Sequence, residues 1–212
     1  MAALDLHEQE QFEALKAWWF ENRNLVLGAL LIAVVAIGGW RGWQYYQHKQ
    51  AAEGAKLYQQ FIHQLEGNDP KRMNDAAAAV MEKYAATAYA PRAALLAAQV
   101  NEQVKDAGRA RTQLQWVIDH AEEDGLKDVA RLRLAAILLD EKNYDGALNL
   151  LETAHPSSFD GLYADLRGDV LSAQGNTAGA RSAYKLAYEK TDAKSPYRNL
   201  IQMKLDALGA AK

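Results

Sequence analysis

The chain has 212 residues, no cysteine, 24 Lys and Arg against 27 Asp and Glu, and a half-hydrophobic composition. Without cysteine there are no disulfides, thiolate metal sites or cysteine nucleophiles, and a formal net charge of -3 gives no electrostatic reason to expect nucleic acid, which calls for a clustered basic face. The length accommodates one domain or a small two-domain protein.

The first 23 residues are acidic and aromatic, with Asp5, Glu8, Glu10 and Glu13 ahead of Trp18, Trp19 and Phe20. Between Arg23 and Arg41 lie 17 residues without a charge, and Leu25 to Ile37 is apolar apart from Gly and Ala. At about 1.5 Å per residue that stretch covers roughly 25 Å, a little short of a hydrocarbon core of about 30 Å. Aromatic rings on both sides (Trp18, Trp19 and Phe20 before, Trp40, Trp43, Tyr45 and Tyr46 after) extend it to headgroup level. Arg23 and Arg41 can snorkel outward along their methylenes.

A buried core helix would show a polar stripe at helical spacing, and Leu25–Ile37 has none. A cleaved signal peptide would open with a basic region and end at small residues of the A-x-A kind, whereas here acids come first and Gly38-Gly39-Trp40-Arg41 follows. The expectation is a permanent transmembrane helix over 24–43, with Leu25, Leu31, Val34, Ile37 and Trp40 as anchor residues in contact with membrane lipid. Basic residues lie on both sides of it, so charge counting does not orient the span. The spacing of Gly38 and Gly42 permits close pairing of two spans, hence a homodimer, although a flexible exit from the bilayer is the stronger reading.

Residues 44–56 read as a linker or helix extension, and 57–212 as one all-α domain. Alanine-rich, helix-like runs are broken at Gly67-Asn68-Asp69-Pro70, Asp106-Ala107-Gly108, Asp124-Gly125, His155-Pro156 and Gly175-Asn176. Leu132–Ala154 laid over Asp165–Ala187 pairs Ala135 with Gly168, Leu138 with Leu171, Ala147 with Ala180 and Leu151 with Tyr184. This is the small-and-large pattern of a tetratricopeptide repeat, whose period is about 34 residues. Small residues let the two helices of a unit approach, and large ones fill the space against the next unit. Ala94–Ala98 with Ala110 and Leu114 is a poorer copy. Tyr58, Phe61 and Leu65 with Ala77, Val80, Met81 and Tyr84 suggest another pair, and Ser195–Gly209 a closing helix. The fold expected is an α-solenoid of three to four helix pairs behind one transmembrane helix.

No catalytic constellation accompanies these elements. The five histidines have no paired metal spacing, and neither a nucleophile elbow nor a phosphate-cradling glycine loop is present. The chain therefore reads as a non-enzyme without a cofactor or metal. Stacked pairs offer a groove lined by the first helix of each unit. Its candidates are Leu132, Ala136, Leu139, Asp140, Asp165, Asp169 and Ser172, with Arg92, Leu95, Gln99 and Gln103 upstream in weaker register. Mixed apolar and polar lining suits extended or partly folded polypeptide, and packing is the competing role for Leu132 and Leu139.

An acidic tail reading FEALKAWWFENRN, one apolar span ending GGWRGWQYY, and the segments YADLRGDVLSAQGNTAGARSAY and IQMKLDALG together resemble the YfgM family, the ancillary subunits of the bacterial SecYEG translocon. The resemblance implies a single-pass type II protein of the bacterial inner membrane, its N-terminus cytoplasmic and its repeats periplasmic. Implied partners are SecYEG, a membrane-anchored periplasmic chaperone of the prolyl-isomerase type, and translocating polypeptides. A tethered scaffold for envelope assembly or cell division is the alternative, because fold does not fix function.

Overall fold

A computed structural model describes residues 6–67 and 69–210. Nine α-helices follow one another among the described residues, with no strand. They are α1 (Leu6–Glu66), α2 (Pro70–Lys83), α3 (Tyr89–Gln103), α4 (Ala107–His120), α5 (Asp124–Asp140), α6 (Tyr144–Leu151), α7 (Asp160–Ala173), α8 (Thr177–Lys190) and α9 (Tyr197–Ala210). The chain forms two compact units that divide after Gln50.

The first unit consists of α1 as far as Gln50. Its most apolar 18-residue window has a mean hydropathy of 2.0, with none of it covered by protein. Leu25, Leu31, Val34, Ile37 and Trp40 are 61–73% exposed. So large an uncovered apolar surface is expected of a helix whose solvent is lipid. The flexible exit expected around Gly38–Gly42 is not found, because α1 runs through these glycines unbroken. Each glycine costs a helix about 1 kcal/mol relative to alanine, which weakens a long helix without ending it.

The second unit starts from the last turns of α1 and stacks helices as antiparallel neighbours. Local chemistry places the turns. Asp69 caps α2 by accepting from the backbone N–H groups of Lys71 and Arg72, and Pro70 fills the first turn, where its missing N–H is not needed. One turn is used three times, between α3 and α4, α5 and α6, and α7 and α8. A left-handed residue ends the first helix: Lys105 (φ 62), Lys142 (φ 61) or Gly175 (φ 80). The next residue, Asp106, Asn143 or Asn176, sends its N–H back to the carbonyl of Asn101, Leu138 or Leu171 at 2.8 Å. That same side chain then caps the second helix through the N–H of Arg109, Gly146 or Gly179. Each turn is thus a Schellman stop fused to an Asx start.

Small residues hold the paired helices close. Ala135, Ala147 and Ala180 are fully buried, Leu151 and Tyr184 are 4% exposed, and Leu138 and Leu171 pack from the cluster edges. At Gly168 the approach is closest: a Cβ there would lie 3.0 Å from Cγ of Tyr184 and nearer still to Cδ1 and Cε1. The larger Tyr184, at the position of Leu151, is accommodated by Gly168 at the position of Ala135.

Buried polar groups tie successive pairs together. Asn101, fully buried, donates to Asn74 at 2.8 Å and to Gln113 at 2.7 Å, and accepts from Asn74. Asp128 on α5 accepts from the Tyr163 hydroxyl on α7 at 2.8 Å and from Arg131 at 2.8 Å. Asp165 on α7 accepts in the same way from Tyr197 on α9 at 2.5 Å. Each acid thus fixes the next unit by a directional bond, which apolar packing alone would not supply.

Candidate binding groove

Helix α3 has two faces of different composition. Ala90, Ala93, Ala94, Ala97 and Ala98 are fully buried against the neighbouring helices. Arg92, Leu95, Leu96 and Gln99 recur three and four residues apart on the other face. They line a hollow of about 320 Å³ with Tyr58 from the end of α1 and with Val129 and Arg133, one turn apart on α5. Tyr58 is shared with a second, larger hollow of about 900 Å³, which includes Lys56, Ile62, His63 and Tyr89. The two meet at that ring, which contacts Tyr89 at 5.5 Å and the buried Phe61 at 5.8 Å. Burial raises the Tyr58 hydroxyl pKa, with the Arg92 charge opposing.

The two arginines differ in their bonding. Arg92 is engaged: Nη1 donates to the Ala88 carbonyl at 2.7 Å, and both terminal nitrogens reach Glu123 at 2.9 and 3.0 Å. Arg133 donates once, from Nη1 to the Leu95 carbonyl at 3.3 Å. Aliphatic floor, aromatic edge and guanidinium donors together can hold an extended chain by apolar contact while bonding its polar groups.

The groove candidates named from the repeat register fall in two places. Leu132 and Leu139 are half-buried and pack on the cluster of Ala135, Ala147, Leu151, Tyr163 and Val170. Ala136 is half-buried and Asp140 exposed at the end of α5. Ser172 is half-buried near the end of α7. Asp165 is 2% exposed and serves α9 instead of an open surface. Lys204 on α9 bridges Asp165 at 2.7 Å and Asp169 at 2.8 Å, while Tyr184 donates to Asp169 at 2.7 Å. For Lys204, burial pulls the pKa down, and the bonds to the two aspartates outweigh it, so the pKa is raised. Burial, and then hydrogen bonds to aspartate, push the hydroxyls of Tyr163, Tyr184 and Tyr197 well above the ordinary 10.0.

The hollow does contain Arg92, Leu95 and Gln99 from the upstream candidates; Gln103 is exposed outside it. Tyr58, Leu96, Val129 and Arg133 were missed. The alanine-backed face of α3 was the available signal for Leu96. The other three needed knowledge of which helices lie beside α3. Among the described residues, no group of three or more His, Asp or Glu is placed to hold a metal.

A tetratricopeptide repeat-like domain model matches residues 16–210. The ancillary SecYEG translocon subunit of Escherichia coli K12 is 31% identical over 95% of this chain and 97% of its own length. The protein of the same name from Neisseria gonorrhoeae is 29% identical over 97% and 99%, and that from Aggregatibacter actinomycetemcomitans 28% over 97% and 100%. No solved structure matches. With a family model spanning residues 16–210 and a relative 31% identical over 95% of its length, the chain belongs to the tetratricopeptide repeat-like family of ancillary SecYEG translocon subunits.

Proposed function

We propose that this protein is a non-catalytic accessory of the SecYEG translocon, anchored in the bacterial inner membrane, that offers its repeat groove to polypeptides and chaperones at the channel exit. In this reading residues 1–23 are cytoplasmic, 24–43 cross the bilayer against lipid and 57–212 are periplasmic, so the molecule is single-pass type II. The observation that carries the reading is an open hollow of aromatic and aliphatic side chains in the repeat unit of a chain whose N-terminal helix has an uncovered apolar surface. The names of its relatives supply the translocon.

The mechanism is local concentration. A weak site tethered beside the channel meets each emerging segment at an effective concentration of order millimolar, so affinities too weak for free association suffice. A membrane-anchored chaperone of the prolyl-isomerase type is the proposed partner, held by the same repeat unit. Photo-crosslinking from Leu96 and Gln99 in native membranes should capture translocating chains, the chaperone or translocon subunits. Capture of none of them refutes the proposal. Protease digestion of spheroplasts should remove the repeat unit, and full protection would place it on the other side.

A further inference from the structure

Arg133 is the less engaged of the two arginines in the hollow. Arg92, beside it, is neutralised by its two-point contact with Glu123. Arg133 has no ion pair within 4 Å among the described residues, and only one of its five donors is used, on the Leu95 carbonyl at 3.3 Å. Glu102 feels its charge, with burial raising the Glu102 pKa and Arg133 lowering it. The charges lining the larger hollow are Lys56 and Glu66. A half-buried guanidinium with spare donors, beside Leu95, Leu96 and Val129, is complementary to a carboxylate carried among apolar side chains.

Resting on the proposed role of the groove in holding extended polypeptide, we infer that Arg133 selects segments in which an internal Asp or Glu side chain is flanked by apolar residues. An internal residue is favoured over a chain end because both hollows lie open at the surface and share Tyr58, so nothing encloses a chain terminus. A bound strand therefore need not end at the carboxylate. The planar fork of arginine bonds such a carboxylate at two points, and lysine would bond it at one.

The test uses the full-length protein in detergent micelles and fluorescence anisotropy with labelled nine-residue peptides. These carry alternating apolar residues, an amidated C-terminus, and Glu, Gln or Lys at the centre. Expected is binding of the Glu peptide about tenfold tighter than the Gln peptide, and weaker still binding of the Lys peptide, as for a hydrogen bond to a charged group. Arg133→Gln should bring Glu and Gln peptides to equal affinity while leaving the Gln peptide unchanged. Arg133→Lys should keep a reduced preference, and far-UV circular dichroism verifies that both variants fold.

Equal affinity of the unsubstituted protein for all three peptides overturns the acidic preference and leaves the groove reading standing. Binding of none of them overturns both. A fourth peptide, the Gln sequence with a free C-terminal carboxylate, is run beside them, and a preference for it alone overturns the choice of an internal carboxylate. A Glu preference that survives Arg133→Gln removes Arg133 as its cause.

Discussion

Replacing Gly168 by alanine sets two effects against each other. In an isolated helix the change stabilises by about 1 kcal/mol, because alanine is the better helix former. Here the new methyl would occupy the space of the Tyr184 ring, 3.0 Å from Cγ and closer to Cδ1 and Cε1. That ring is 4% exposed and its hydroxyl is bonded to Asp169 at 2.7 Å, so it cannot move without repacking. Overpacking costs about 1–3 kcal/mol and the loosened hydrogen bond about 1 kcal/mol more. After the helix gain is subtracted, Gly168→Ala should destabilise the repeat unit by about 1–3 kcal/mol. For a unit of this size that lowers Tm by roughly 2–12 °C. The assay is thermal unfolding in micelles followed by near-ultraviolet circular dichroism of the tyrosines, which reports tertiary packing while the micelle-bound span stays helical. The companion change is Tyr184→Leu, since Leu151 stands opposite Ala135 in the preceding unit. In the Tyr184→Leu background, Gly168→Ala should be neutral or stabilising. A rise in Tm on Gly168→Ala in the original background would refute the close-contact argument.

Val34→Arg puts a charge at mid-span at a cost of about 2.5–3.5 kcal/mol, comparable with the whole insertion gain of its nine Leu, Ile and Val residues; alkaline carbonate extraction should move the protein into the soluble fraction or find it degraded. Lys142→Gly relieves a left-handed non-glycine residue and should stabilise by about 0.5–1 kcal/mol after the greater flexibility of glycine is counted, seen as a higher denaturation midpoint. Alkaline pH should unfold the repeat unit. Tyr163, Tyr184, Tyr197 and Lys204 all hold their protons more tightly when folded, so the stabilisation is intact below the ordinary values of 10.0 and 10.5 and is lost as pH rises through the raised ones. In difference absorbance, these three tyrosines should ionise after the exposed ones, together with unfolding.

The features legible in the chain were those written at short range. A 17-residue uncharged run needs no tertiary information to read as a span. The small-and-large pairs Ala135–Leu151 and Gly168–Tyr184 lie within single helix pairs. The groove was only half legible for the opposite reason. Tyr58, Leu96, Val129 and Arg133 come from three helices, and periodicity identifies a face without naming its neighbours. Asp165 misled because repeat register assigned it by analogy with Leu132. Its partners Tyr197 and Lys204 arrive from 32 and 39 residues downstream, and only then does an acid on a nominal groove face become an interior one. The unbroken course of α1 was obscured by three glycines whose individual penalties are small beside the cooperativity of a 61-residue helix.

The attachment of α9 also bears on how such a protein can change length over evolutionary time. Its basic and phenolic groups meet the two aspartates of α7, while Arg181 of α8 donates to the Leu208 carbonyl at 2.9 Å. The terminal helix is therefore keyed to one particular hairpin. Gene duplication could insert further units ahead of α7 and leave that lock undisturbed. Loss of α7 would strand a lysine and a tyrosine at a seam with no acids to meet, so growth and shrinkage of the array are directed toward the helices that precede α7 in the chain.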